Sequence, residues 1–327
     1  MNYQEMSLFA EINPKYKLKG KVLLIELFAG IGATHRGLKL IEQAQIKQNI
    51  PLEDRITIIP HKICEWTYNS YVMYNLIHTR DFTDYSKGKT KEEMIERIKG
   101  TSTDYNSPLT LDQLNRKPIE WIKRAYNSCV ATHNLVDISS VKGKDLDFED
   151  NQNQTIVMTY SFPCQDISGA GNMKGLEKGT RSALLWEVER LLGERERERL
   201  PLPNILLMEN VDMLLSKSFV KQFNLWEQRL ASMGYSNFVK VLNSKDYGNV
   251  PQNRKRVFMI SILGNYHYDF PLKTKLKYCL LDFCNKEVDD KYYLSDKFIE
   301  YLTRTTSEKY PRRDRFIQAI RGGERYR

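Results

Sequence analysis

Lys21-Val22-Leu23-Leu24-Ile25-Glu26-Leu27-Phe28-Ala29-Gly30-Ile31-Gly32 decides the fold. Lys21–Ala29 is an apolar run with the length of a strand buried on both faces of a parallel sheet. Gly30 and Gly32 permit a tight turn after it. Thr34 can cap a helix over His35–Ala44. Arg55–Cys64 reads as a second strand and Trp66–His78 as a second helix, which makes a β-α-β start. Outward from there, strands are expected at Val136–Ile138 (a short strand end), Thr155–Ser161, Asn204–Met208 and Val257–Leu263. Helices are expected at Arg181–Arg199 and Phe219–Met233, where Leu184, Leu185, Val188, Leu191 and Leu192, then Phe219, Phe223, Trp226 and Leu230, recur at helical spacing. This alternation predicts an α/β fold, a doubly wound and mostly parallel sheet. The charged stretch Thr79–Asn134 interrupts it. That stretch reads as an inserted helical segment with its own small packing, including a helix over Trp121–Val130.

At 327 residues the chain can bury a large core. Its net charge of +9 suits an acidic partner such as nucleic acid, though a lysine-rich soluble surface gives the same sum. Tyr301–Arg327 holds 8 Lys/Arg against 3 Asp/Glu, so over half of the excess lies there. The five cysteines, Cys64, Cys129, Cys164, Cys279 and Cys284, are odd in number and form no CxxC pair. That composition speaks against a disulfide framework or structural zinc, and no metal site is expected. Cys279 and Cys284 flank an apolar stretch and read as buried small hydrophobes. Apolar runs are strand-sized, far short of the roughly 20 residues that span a bilayer, and no signal peptide is evident. A reduced, cytoplasmic protein with no membrane contact is the expectation.

Four short segments carry the chemistry. The first is the glycine turn, with Phe28, Ala29, Gly30 and Gly32. A dinucleotide fingerprint needs a third glycine three residues on; His35 stands there, which disfavours a pyrophosphate cradle. Glu65, after the second strand, suits ribose hydroxyls, Trp66 suits an adenine face, and Asp137 an adenine amino group. A surface Glu beside a core Trp is the bland alternative. A nucleoside without a pyrophosphate fits S-adenosylmethionine. The second segment is Ser161-Phe162-Pro163-Cys164-Gln165, directly after a strand. A lone cysteine is more often a buried hydrophobe, but this one follows a proline turn and precedes polar Gln165, Asp166 and Ser168. A nucleophile needs its thiolate, which neighbouring arginine charge favours. The third is Met208-Glu209-Asn210-Val211: an acid at a buried strand end is either paired with an arginine or a general acid. The fourth is Gln252-Asn253-Arg254-Lys255-Arg256. Arg254 and Arg256 alternate toward one face and can hold a base oxygen, a carboxylate or a phosphate; alone, they read as a solvated basic edge.

In this order, Phe-x-Gly-x-Gly, Pro-Cys-Gln, Glu-Asn-Val and Gln-x-Arg-x-Arg resemble the DNA cytosine carbon-5 methyltransferases. The resemblance runs from about Lys21 to Leu263 around the insertion and includes Thr180-Arg181-Ser182-Ala183-Leu184-Leu185. The wording Tyr160–Asp166 and the insertion length are similar to the CG-specific members from wall-less bacteria. The resemblance implies methyl transfer from S-adenosylmethionine to a cytosine flipped out of duplex DNA, in a restriction–modification setting. Cys164 would attack carbon 6, Glu209 would protonate ring nitrogen 3, Arg256 would hold the base oxygen and Arg254 would support the thiolate. Phe28, Ala29, Gly30, Gly32, Glu65, Trp66, Asp137, Ile138, Pro163 and Leu184 would bind the cofactor. Gln165, Ser168, Asn210 and Val211 would lie on the substrate side.

The chain also departs from the family pattern. Only 71 residues follow Arg256, and no convincing match to the family's Gly-Asn segment that closes the cofactor site is found among them, Gly322-Gly323 being a poor substitute. Lys291-Tyr292-Tyr293-Leu294-Ser295 resembles the lead-in to a recognition domain. The expected organisation is an arm over 1–20, a catalytic domain over 21–270 with its insertion at about 79–134, and a basic lead-in over 271–327. The rest of the recognition region would belong to a longer enzyme or to a second polypeptide; an inactive copy is the third possibility. Two alternative activities share these residues: a tRNA cytosine-5 methyltransferase, and a non-catalytic nucleic-acid-binding subunit of a split enzyme.

Overall fold

The computed structural model describes residues 13–18, 20–150, 153–163, 184–285, 287 and 289–298. By contacts the chain divides into two units, Met1–Leu276 and Lys277–Arg327. The first contains a six-stranded sheet: β1 (Lys21–Leu27), β2 (Thr57–Cys64), β3 (Gln154–Tyr160), β4 (Ile205–Val211), β5 (Tyr235–Asn243) and β6 (Lys255–Leu263). Their order in space is β2-β1-β3-β4-β6-β5. β2, β1, β3 and β4 pair in parallel, whereas β6 runs antiparallel to both β4 and β5. The sheet is therefore the predicted mostly parallel one with a single reversed strand.

Helices cover both faces, as doubly wound topology requires. On one face, α6 (Leu185–Arg197) and α7 (Val220–Ser232) bury Leu185, Val188, Leu191, Phe223, Trp226 and Leu230 against Ile25, Leu27, Ile156, Met158, Leu206 and Met259. Burying Trp226 strands no donor, because its indole N–H reaches the Tyr160 hydroxyl at 3.1 Å. On the other face, α1 (Ala33–Lys47) sets Leu38 over Val22, Leu24, Ile58 and Val157. Within the expected N-terminal arm, Lys15 bridges to His267, and the Tyr16 hydroxyl lies 3.5 Å from Thr155 Oγ1.

The insertion's helices α3 (Lys91–Arg97), α4 (Leu111–Asn115) and α5 (Ile119–Ala131) form a second core together with α2 (Tyr68–Tyr74), which precedes the insertion. Tyr71, Met94, Ile98, Leu114, Ile122 and Cys129 are buried together there. Both α3 and α4 begin with a capping box, Thr90 with Glu93 and Thr110 with Gln113, so two orphan amides are satisfied at each start.

Three expectations need correction. Val136–Ile138 forms no strand. Leu135 N–H bonds to the Ile63 carbonyl at 2.8 Å, and Val136 then turns the chain away at φ +62°. Tyr235–Asn243 is a strand that the apolar pattern did not mark, because an edge strand carrying Ser236, Asn237 and Lys240 lacks a continuous apolar run. Cys279 and Cys284 are exposed, not buried. The apolar stretch between them is one four-residue turn, and with Leu281 78% and Phe283 55% exposed it builds no core. Among the described residues, no helix is long and apolar enough to cross a membrane.

A buried polar group lies under the glycine turn. Glu26 accepts a hydrogen bond from the His35 amide at 3.1 Å, which satisfies a donor in the first turn of α1 where Gly32 offers no side-chain cap. Its other oxygen accepts from the Tyr74 hydroxyl, which also lies 2.8 Å from His35 Nδ1. The His35 and His78 rings stack at 4.4 Å. Burial pushes the Glu26 carboxyl up to about 7, against the lowering effect of its Tyr74 and His35 hydrogen bonds. Burial, helped by the neighbouring His78, pushes His35 down to about 4.

Because Glu26 holds its proton more tightly folded than unfolded, its ionisation opposes folding. Stability of the wild-type protein relative to Glu26→Gln should therefore fall as pH rises from about 4.5 to about 7 and level off above that. The total change is roughly 3 kcal/mol. Urea midpoints for both proteins across this range measure it; a pH-independent difference would mean that the carboxyl titrates normally.

Candidate active site

The carboxyl ends of the parallel strands share one edge of the sheet, where α/β proteins bind ligands. A cavity of about 600 Å³ opens there, within the range of small-molecule sites. It takes Phe28 and Gly30 from the turn after β1, and Cys64, Glu65, Trp66 and Thr67 from the end of β2. Val136, Asp137, Ile138 and Ser139 line it too, with Ser161 and Pro163 after β3 and Leu184 before α6.

Glu65 is the best-fixed residue of the cavity. Its carboxylate accepts from the Gly30 amide and the Thr67 amide, each at 2.8 Å. Asn134 holds its backbone from both sides: Asn134 Oδ1 accepts from the Glu65 amide at 3.0 Å, and Asn134 Nδ2 donates to the Glu65 carbonyl at 2.9 Å. Glu65 is 8% exposed, and burial raises its pKa against the lowering effect of the two amide bonds. Asp137 is oriented by Ser139, whose amide and hydroxyl both donate to Asp137 Oδ1, at 3.0 and 2.8 Å. Cys64 also lines the cavity, but burial raises its thiol well above the ordinary range, as an inert packing cysteine requires.

Backbone strain concentrates here. Phe28, Tyr105 and Val136 all line the cavity with φ near +60°. Such conformations are uncommon outside glycine and persist where surrounding structure enforces them, often at ligand sites.

Beside the cavity stands a charged pair. Glu209 in β4 accepts from Ser161 Oγ at 2.6 Å, and its other oxygen lies 3.0 Å from Arg256 Nε. The reversed strand brings Arg256 there: antiparallel pairing sets Arg256 opposite Val211, at the same sheet edge as the end of β4. Asn210 is buried, and its Nδ2 donates to the Phe162 carbonyl at 3.0 Å, tying β4 to the turn after β3. Arg254 is exposed; its backbone is fixed by its amide to Asn243 Oδ1 at 3.1 Å and its carbonyl to the Ser244 amide at 3.0 Å.

Of the ten expected cofactor residues, Phe28, Gly30, Glu65, Trp66, Asp137, Ile138, Pro163 and Leu184 share the one cavity. Ala29 instead packs against the second core, and Gly32 faces His78 and the buried Tyr74. Glu209, Asn210 and Arg256 come together as described, with Val211 next to Asn210 in β4. Cys164, Gln165 and Ser168 lie outside the described residues. Sequence reasoning missed Ser161, Thr67, Asn134, Ser139 and the insertion residues Tyr105, Asn106 and Pro108. Ser161 could have been found from its place beside Pro163. Asn134 gave no signal, since its partners are backbone groups far along the chain.

Residues 114–325 match the family described as C-5 cytosine-specific DNA methylase. The chain is 35% identical to the orphan methyltransferase M.SssI of Spiroplasma monobiae over 298 residues, covering 88% of this chain and 71% of that protein. It is 34% identical to the Type II methyltransferase M2.ScrFI of Lactococcus lactis subsp. cremoris, covering 84% of this chain and 70% of that one. Among solved structures, the S. pombe Dnmt2 methyltransferase superposes with a TM-score of 0.50 at 17% identity, over 87% of this chain and 64% of that one, and shares the fold. The fold is an open α/β sheet with the candidate site at the carboxyl ends of its parallel strands. This chain belongs to the C-5 cytosine-specific DNA methylase family.

The two glycines of the turn should respond differently to a side chain. Both have positive φ, which costs roughly 1–2 kcal/mol for an L residue. A Cβ on Gly30 meets nothing within 4 Å, whereas one on Gly32 would come 2.7 Å from Tyr74 Cε2 and closer still to His78. Gly30→Ala should lower stability by about 1 kcal/mol and weaken cofactor binding, while Gly32→Ala should cost at least twice as much. Urea unfolding and calorimetry of both variants provide the test; equal stability losses would mean that the packing under Gly32 is loose.

Proposed function

We propose that this protein transfers a methyl group from S-adenosylmethionine to carbon 5 of a cytosine flipped out of duplex DNA. The observation that carries this reading is the double role of Ser161. It lines the cavity and donates to Glu209, so the Glu209 carboxyl stands at the mouth of a nucleoside-sized site. The residues present fit the cofactor: a buried acid with anchored geometry at the end of β2, apolar walls from Phe28, Trp66, Ile138 and Leu184, and a glycine backbone without a side chain in the way.

The chain's own residues supply the remaining chemistry. Target carbons are unreachable in the stack, so the base must first leave the duplex. Cys164 thiolate adds to carbon 6, and Glu209 delivers its proton to ring nitrogen 3 as electron density moves onto the base. Carbon 5 becomes nucleophilic. S-adenosylmethionine held by these residues would supply an electrophilic methyl group on a sulfonium, with a neutral thioether as the leaving group. Loss of the carbon-5 proton to a base then restores the double bond and expels the thiolate, and the nitrogen-3 proton returns to Glu209. Arg256 orients Glu209 and holds the base oxygen, while Arg254 stabilises the thiolate. Asn210 holds the turn after β3, with Val211, Gln165 and Ser168 on the substrate side. Sequence-specific contacts to base edges would come from a recognition region of the same or a second polypeptide. A restriction–modification setting in the cytoplasm suits this activity.

A duplex containing 5-fluorocytosine traps the covalent adduct, because fluorine cannot leave as a proton does. Full-length wild-type protein with S-adenosylmethionine should give a denaturation-resistant complex, and Cys164→Ala none. Glu209→Gln should slow methylation of ordinary DNA at least about a hundredfold. An adduct that survives Cys164→Ala, or none from a protein that methylates ordinary DNA, would refute the mechanism.

A further inference from the structure

The insertion reaches into the cofactor cavity. From its small core, the segment 101–109 returns to the end of β2 and docks by backbone hydrogen bonds. Ser102 N–H donates to the Trp66 carbonyl at 2.7 Å, and Tyr68 N–H to the Ser102 carbonyl at 2.9 Å. Leu109 N–H closes the loop onto the Thr101 carbonyl at 2.8 Å, and Ser102 bridges antiparallel to Pro108. The tip is ordered by Asp104, whose Oδ1 accepts from Ser102 Oγ at 3.2 Å and from the amides of Asn106 and Ser107 at 2.9 and 3.3 Å. Gly100, at φ +91°, packs so closely that an added Cβ would lie 2.7 Å from Asp137 Cβ. The loop is thus clamped to both Trp66 and Asp137, and it sets Tyr105, Asn106 and Pro108 into the cavity wall.

Tyr105 has no structural reason to be a tyrosine. It is 55% exposed, so core packing does not demand it. Its φ of +62° strains an aromatic residue where glycine or asparagine would sit at ease. A strained, half-exposed aromatic ring fixed on the rim of a cavity is what a ligand-binding role leaves behind in the free protein.

We infer that Tyr105 is a cofactor-binding residue, supplied by the insertion, whose ring covers the nucleoside end of S-adenosylmethionine. The nucleoside end is assigned because the loop hangs from Trp66 and Tyr68, which directly follow the ribose-side acid Glu65, and packs on Asp137. The inference rests on the cofactor reading above. It also makes the insertion a working part of the site, beyond its being an appended packing unit.

Calorimetric titration of the full-length protein with S-adenosylmethionine and with S-adenosylhomocysteine tests it. Tyr105→Ala should weaken both ligands by the same factor, roughly tenfold, since both carry the same nucleoside. Tyr105→Phe should bind like the wild type. Tyr105→Gly should bind as weakly as Tyr105→Ala yet melt at a higher temperature without ligand, because glycine relieves the backbone strain. A purely structural residue would not separate affinity from stability in this way. Binding by Tyr105→Ala within twofold of wild type overturns the inference alone. A loss confined to S-adenosylmethionine overturns the nucleoside assignment, because only that ligand carries the sulfonium charge. Absence of binding by the wild type overturns the cofactor reading and this inference with it.

Discussion

The antiparallel pairing of β6 with β4 is the constraint on which the candidate chemistry depends. Had β6 joined the sheet in parallel, its first residues would lie at the opposite edge from the end of β4. Reversal places Arg256 across from Val211 and its guanidinium 3.0 Å from Glu209. The pair is partly exposed, so it contributes little to stability. Its value is positional. Arg256 and Ser161 each take one carboxylate oxygen, which fixes the position of the Glu209 carboxyl group. Asn210, one residue on, anchors the Phe162 carbonyl, so β4 sets both the acid and the chain that leads into Cys164.

The cofactor side is organised by a different device. Glu65 gains two amide donors, and Asn134 spans its amide and carbonyl like a missing neighbouring strand. Anchoring of this kind limits the cost of burying a carboxylate and leaves Glu65 preorganised. Preorganisation matters because ordering side chains at the moment of binding would subtract from affinity. Phe28, Tyr105 and Val136, with φ near +60°, lie against this cavity, and such conformations persist where the surrounding structure enforces them.

Much of this was legible in the sequence because the strands are buried. The central strands β1 and β3 are buried almost throughout and read as continuous apolar runs; β4, β6 and the edge strand β2 keep enough apolar residues to be visible beside them, so the residues at the strand ends could be placed at one edge. The edge strand β5 was not visible, since Ser236, Asn237, Lys240 and Asn243 interrupt its apolar residues. Eight of the expected cofactor residues share one cavity for the same topological reason. Ala29 and Gly32 lie away from the cavity lining because a short turn can point its Cα positions in different directions, and spacing alone does not say which faces the cavity. The contribution of the insertion was illegible for another reason. Asp104-Tyr105-Asn106-Ser107-Pro108 signals a turn by composition, but the docking partners of that turn are backbone groups of Trp66 and Tyr68, which carry no side-chain code.

The group beneath the glycine turn shows how a buried acid can be held without an arginine. With Glu26 ionised, Tyr74 donates to it and His35 Nδ1–H donates to the tyrosine oxygen. With Glu26 protonated, the carboxyl can donate to Tyr74, whose hydroxyl then turns to His35 Nδ1. Heavy atoms need not move, because each hydroxyl can give or accept. The His35 amide bonds to the other Glu26 oxygen in both arrangements, so the start of α1 stays capped. His78 completes the support from outside the pair: its Nε2 lies 2.9 Å from the Ile31 carbonyl, inside the turn itself. The glycine loop is thus pinned at Ile31 by His78, at Gly30 by Glu65 and at its exit by Glu26. Three independent anchors on consecutive parts of one short turn make its backbone a rigid surface, which is what close approach to a cofactor demands.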